Sequence, residues 1–133
     1  MTITLKELLQ DNKFDGLIPE HQENLLVLLK AISAVRDAYG HPMTVTSCIR
    51  TKEKQIAVYA AKGITDPSKI PMQSCHLKAA AVDISDQGLV LTKWLKDNPE
   101  VLEDAGLWCE ADNSNWVHAQ IFPPKSGSRW FKP

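Results

Sequence analysis

The sequence predicts an α+β fold, a small and mainly antiparallel sheet packed on helices, and three observations carry that expectation. One long segment, residues 19–40, has apolar residues at helical spacing. Short stretches near 80–84 and 116–121 alternate apolar and polar residues with a period of two. Helical and extended segments are also segregated along the chain, as in α+β folds. At 133 residues without a repeat or a linker, residues 1–133 are expected to form one domain. A chain of that size buries roughly two thirds of its unfolded surface.

Each element has its own signals. Thr4 followed by Glu7 is a capping box that opens a short helix through about Gln10. In "PEHQENLLVLLKAISAVRDAYG" Pro19 stands near the start, acidic residues fill the first turn and Gly40 ends the helix. Leu25, Leu28, Leu29, Ile32 and Val35 form its core stripe, and Leu26 and Val27 are expected to widen it. "MTVTS" (43–47) is a short strand, and residues 51–63 are a helix capped by Thr51 and closed by Gly63. A strand over about Ala80 to Ile84 is followed by the helical segments "GLVLTKWLKDN" and "PEVLEDAG". "LWCE" and "WVHAQIF" are strands joined by the polar turn "ADNSN", and "FPPKSGSRWFKP" is an extended closing segment.

Composition removes several classes of function. A net charge of -1 and a pI near 6.4 argue against nucleic acid or an anionic membrane as partner, because both select basic surfaces. The longest apolar run, Leu25 to Leu29, is far below the roughly 20 residues needed to span a bilayer. The N-terminus has no cationic start with an apolar core and cleavage site, so cytoplasmic synthesis without a signal peptide is expected. Cys48, Cys75 and Cys109 are few and odd in number, which predicts reduced thiols. A monomer is expected.

Chemistry concentrates in the strands. In "WVHAQI" one face carries Val117, Ala119 and Ile121, and the other Trp116, His118 and Gln120. In "AAVDIS" the apolar face is Ala80, Val82 and Ile84, which puts Asp83 opposite them. His76 enters from the loop before that strand. Two histidines and a carboxylate with an open fourth position suit a catalytic Zn2+, which lowers the pKa of its water to about 7. A histidine merely hydrogen-bonded on a sheet face has the same spacing, so the residues alone leave both readings open.

The surroundings favour the metal. "SCHLKAAAVDI" resembles the SxHxxGxAxD(I/L) signature of zinc peptidases in the D-alanyl-D-alanine carboxypeptidase and dipeptidase family. That family includes phage L-alanyl-D-glutamate endolysins and shares its fold with hedgehog signalling domains. Ser74, His76, Ala81 and Asp83 match the signature. "TVTSCIRTKEKQ" is similar to the family's strand followed by SG(Y/F)R, whose arginine corresponds to Arg50, and "WVHAQ" is similar to the segment carrying the last ligand, at His118. The resemblance covers about Thr44 to Gln120. Three positions depart from it: Ala79 replaces the motif glycine, Cys48 and Ile49 replace the glycine and aromatic before Arg50, and Asn115 stands where many members have a glutamate.

The resemblance implies a zinc metallopeptidase that hydrolyses a peptide bond in peptidoglycan or its precursors, as D-Ala-D-Ala carboxypeptidase or L-Ala-D-Glu endopeptidase. It implies His76, Asp83 and His118 as zinc ligands, and Arg50 as oxyanion or carboxylate binder. A second branch of the family carries its acid at the preceding strand end, in an arrangement like LIxE…WVH. That branch assigns Glu110 as general base, with Asp112 in reserve. Ser74, Trp116 and Gln120 are expected to border the substrate. Family habit also suggests a phage-encoded enzyme delivered to the cell wall. Two alternatives stay open: a degenerate relative that keeps zinc and serves as a binding or structural module, favoured by Asn115, and a thiol hydrolase using Cys75 with His118.

Overall fold

A computed structural model describes residues 3–70 and 75–132. Five helices, α1 (Leu5–Leu9), α2 (Pro19–Tyr39), α3 (Lys52–Ala61), α4 (Val90–Asp97) and α5 (Pro99–Ala105), accompany a five-stranded sheet among these residues. Its strands are β1 (Val45–Ser47), β2 (Ala81–Ser85), β3 (Trp108–Glu110), β4 (Trp116–Gln120) and β5 (Trp130–Phe131), in the order β1-β2-β4-β3-β5. Every neighbouring pair is antiparallel except β3 and β5. The α+β expectation holds.

The capping box at the start of α1 forms as the sequence predicts. The Thr4 hydroxyl accepts from the Glu7 amide at 3.2 Å, and the Glu7 carboxylate accepts from the Thr4 amide at 3.1 Å. In α2, Pro19 occupies the first turn and Gly40 ends the helix in the left-handed region at φ 74°. Leu25, Leu28, Ile32 and Val35 are buried, and α2 packs against α1 and α5. Leu26 and Val27 do not widen this stripe: they are 49% and 51% exposed. At about 100° per residue they point roughly 100° and 200° away from Leu25, too far round to reach the core.

The cysteines are thiols, with Cys48 and Cys109 buried among apolar side chains and Cys75 half-buried. The closing segment contributes an element that the sequence did not announce, the parallel edge strand β5. Arg129 holds it in place, stacking its guanidinium 4.5 Å from the Trp108 ring and donating to the Leu107 carbonyl at 2.9 Å. Arg36 in α2 is buried and donates to both carboxylate oxygens of Glu7 in α1, at 3.3 and 2.9 Å. It also donates to the carbonyl of Met43, just before β1. One guanidinium thus ties two helices to the first strand.

Burial alone would raise the Glu7 pKa, but hydrogen bonds from Arg36 and Thr4 bring it below the usual glutamate value. Glu7→Ala is therefore expected to lower stability by about 1–3 kcal/mol, because the buried guanidinium loses the carboxylate that accepts two of its hydrogen bonds. A depressed carboxyl pKa contributes stability that is present above its unfolded value and is lost as pH falls through the folded value. Urea unfolding of both proteins is expected to show the gap at neutral pH and to show it closing below about pH 4.5. An equal gap at acidic pH would dissociate it from the ion pair.

Candidate metal centre

The antiparallel register pairs Asp83 of β2 directly with His118 of β4, so both side chains rise from the same face of the sheet. Val82, Ile84, Val117 and Ala119 turn to the other face and join the core. His76 comes from a 3₁₀ turn, Cys75–Lys78, that leads into β2. The turn closes with the Ala80 amide on the Cys75 carbonyl at 2.9 Å, and Ala79 adopts φ 56° to allow it. The Asn24 side chain in α2 donates to the Lys78 carbonyl at 3.1 Å, fastening the turn to the long helix. Ala79, Ala80 and Ala81 are fully buried, so this segment packs with no larger side chain between it and its neighbours.

The three polar groups converge. His76 Nε2 lies 3.3 Å and His118 Nδ1 3.0 Å from Asp83 Oδ1, and one ligand atom from each residue lies within 4.8 Å of the others. The remote nitrogen of His76, Nδ1, is 2.6 Å from the Cys48 carbonyl. A carbonyl oxygen only accepts, so Nδ1 carries a proton, and Nε2 is the nitrogen whose lone pair becomes available to a metal when the ring is neutral. Two imidazoles and a carboxylate, oriented from outside in this way, form a donor set that fits zinc. Among the described residues this is the group that could hold a metal ion.

Electrostatics agree with the geometry. Burial alone would raise the Asp83 pKa, but hydrogen bonds with His118 and His76 hold the carboxyl well below the usual aspartate range. Burial alone would lower the His118 pKa, yet the Asp83 hydrogen bond, the Glu110 charge and the Gln120 contact raise it. The carboxylate is thus ionised before any cation arrives.

A cavity of about 1270 Å³ opens over the centre. Arg50 lines it, with Nη2 3.8 Å from Asp83 Oδ2 and Nη1 donating to the Gln55 amide oxygen at 3.3 Å. Its backbone amide donates to the His76 carbonyl at 3.2 Å. Glu110 Oε1 lies 3.9 Å from His118 Nδ1 and accepts from Asn113 Nδ2 at 3.3 Å. Trp116 and Gln120 both line the cavity: Trp116 is 39% exposed, and Gln120 is buried with its amide bonded at both ends. Asp112 is exposed in the turn at φ 64° and does not line the cavity, and Ser74 lies outside the described residues. Sequence reasoning missed Gln55, Tyr59, Asn113 and Phe131, all near or lining the site. Gln55, four residues after the cap Thr51 and 1% exposed, was detectable as a polar residue on the inner side of α3; the closing segment offered no periodic signal for Phe131.

With this geometry in place, the comparison with known families is decisive. The sequence model of the family described as Peptidase M15 matches residues 2–119. The chain belongs to the peptidase M15 family. That is the family of zinc peptidases of D-Ala-D-Ala carboxypeptidase and endolysin type, as the motifs implied. No curated protein and no solved structure matches the chain. M15 membership favours the metal over the thiol route, and the thiols agree. Burial raises the pKa of Cys75, and pushes those of Cys48 and Cys109 up to about 12, opposite to what a reactive thiolate needs.

The position of the M15 motif glycine is occupied in this chain by Ala79 in the left-handed region, which costs an L-residue roughly 1–2 kcal/mol. Ala79→Gly relieves that strain but loses a buried methyl, about 0.8 kcal/mol, and adds unfolded-state entropy of about 0.5–1 kcal/mol. The terms nearly cancel, so the expected change in unfolding free energy is within about 1 kcal/mol. Ala79→Val adds a β-branched side chain where φ is positive and should destabilise by more than about 2 kcal/mol. Chemical denaturation of the two variants checks both values.

Proposed function

We propose that this M15 chain is a zinc-dependent peptidase that hydrolyses a peptide bond in bacterial peptidoglycan or its precursors, of the D-Ala-D-Ala carboxypeptidase or L-Ala-D-Glu endopeptidase type. The observation that carries the reading is the convergence on one cavity of His76 Nε2, His118 Nδ1 and the Asp83 carboxylate, with Glu110 and Arg50 beside them. His76, Asp83 and His118 would hold zinc, which when bound supplies a nucleophilic hydroxide at neutral pH and polarises the scissile carbonyl.

The other residues have work of their own. Glu110 takes a proton from the attacking water and returns it to the leaving amine, a role for which its carboxylate is oriented by Asn113. Arg50 offers a planar, permanently charged fork for a substrate carboxylate or the developing oxyanion. Its link to Gln55 holds that fork toward the cavity, while the partly exposed Trp116 supplies an apolar wall for the peptide. A carboxylate beside His118 favours an enzyme over a module that keeps zinc for structure alone.

Glu110→Ala is expected to retain zinc and to lose about 10²–10⁴-fold in hydrolysis. The measurement is release of new termini from purified peptidoglycan, with metal content determined on the same preparation. Unchanged hydrolysis would remove Glu110 from the mechanism. A wild-type protein that holds zinc and releases nothing would support the structural module instead.

Zinc uptake must also displace the proton favoured at His118. Because that pKa is raised, zinc competes with a proton over a window that begins above the ordinary imidazole value of 6.5. Affinity should therefore weaken as pH falls through neutrality, with proton release visible by calorimetry in buffers of different ionisation enthalpy. Affinity flat between pH 8 and about pH 6 would contradict this account.

A further inference from the structure

A neutral imidazole offers one N–H and one lone pair, and the partner of the remote nitrogen decides which nitrogen is left to bind a metal. His118 meets Asp83 at Nδ1, at 3.0 Å, and Gln120 Oε1 at Nε2, at 2.9 Å. Gln120 is two residues along β4 and therefore on the same face, where it is 8% exposed. Its amide has a second bond: Nε2 donates to the Phe122 backbone carbonyl at 2.8 Å.

These bonds have a fixed direction. The Phe122 carbonyl can only accept, so the NH₂ end of the Gln120 amide must face it and the oxygen must face the imidazole. That oxygen can only accept, so His118 Nε2 carries the proton. The lone pair is left on Nδ1, the nitrogen that points at Asp83 and lies close to His76 Nε2. His76 reaches the same end with a backbone carbonyl, that of Cys48.

We propose that Gln120 is a positioning residue of the metal centre, which, anchored by the Phe122 carbonyl, holds His118 in the orientation that presents Nδ1 to zinc. The inference rests on the proposed reading of the centre as a zinc site. It assigns to the Gln120 amide, which lines the cavity, the task of orienting a ligand. It also explains an amide here in preference to a carboxylate, since only an amide both accepts from His118 and donates to Phe122.

The test uses the full chain and zinc alone, with affinity measured by chelator competition and thermal unfolding recorded with and without the metal. The wild type is expected to bind one zinc per chain. Gln120→Leu, which removes the acceptor, should bind roughly 10- to 100-fold more weakly. Its metal-free melting temperature should stay near that of the wild type, while its zinc-induced rise shrinks. Gln120→Glu keeps an acceptor for Nε2–H and should recover affinity to within about tenfold of the wild type, the lower edge of the loss given for second-shell changes. Wild-type affinity in Gln120→Leu overturns the proposal, as does equal weakening in Gln120→Glu, or an equal loss of stability with and without zinc. If Gln120→Leu does not fold, Gln120→Glu decides alone, and a loss beyond that range rejects the role. A wild type that takes up no zinc sinks the metal reading itself, an outcome distinct from the others.

Discussion

The pairing of β2 with β4 is the constraint on which the rest of the site depends. Asp83 and His118 meet because they are directly opposed in an antiparallel ladder, and the same ladder turns Val82, Ile84, Val117 and Ala119 into the core. A slip of one residue would exchange the two faces, burying the polar set and exposing the apolar one. The hydrophobic pattern that secures the fold therefore also secures the distance between two of the site's polar groups. The third, His76, is coupled to this register through the turn immediately before β2. Arg50 is coupled in turn, through its amide on the His76 carbonyl.

Around that ladder the protein has gathered partners for a largely buried carboxylate. Asp83 is a largely buried carboxylate, and a buried charge must be paired or hydrogen-bonded. Two imidazoles and a guanidinium approach it from separate elements: the turn before β2, strand β4 and the segment before α3. Folding therefore assembles a negative centre with nitrogen donors already near it. A donor set built in this way could accept a divalent ion with little reorganisation, since the remote nitrogens are already engaged by oxygens.

Much of this was legible in the residues, for identifiable reasons. Period-two alternation put Asp83 and His118 each on a polar face, and the structure shows that the two faces coincide. Caps were equally local: Thr4 with Glu7, Thr51, and Gly40 all act where the sequence put them. What escaped depends on contacts between segments distant in sequence. Leu26 and Val27 are a different case: they belong to the same apolar run as Leu25, but the helical step of about 100° per residue turns them away from its stripe and toward solvent. The parallel strand β5 is two residues long and has no pattern to read; it exists because Arg129 and Trp108 draw the closing segment onto β3. The role of Gln120 was hidden for a similar reason, since alternation gives its face but not the partners of its amide.

The departures from the family pattern also make sense once backbone conformation is considered. Among the described residues five non-glycine residues have positive φ, and three of them flank the site: Ala79 after His76, and Asp112 and Asn115 between Glu110 and His118. Aspartate and asparagine enter the left-handed region at less cost than other side chains. Asn115 holds φ 67° while its carbonyl accepts from the buried Asp86 amide at 2.8 Å, joining the turn to the end of β2. A glutamate there would face a steeper conformational cost in this turn than asparagine does. A carboxylate for the proposed general-base role is better carried by the regular strand preceding the turn, where no such conflict arises. Glu110 occupies that strand end, within 3.9 Å of His118 Nδ1. The one tight turn thus suits asparagine at position 115 and leaves the strand end before it as the place for the carboxylate proposed as general base.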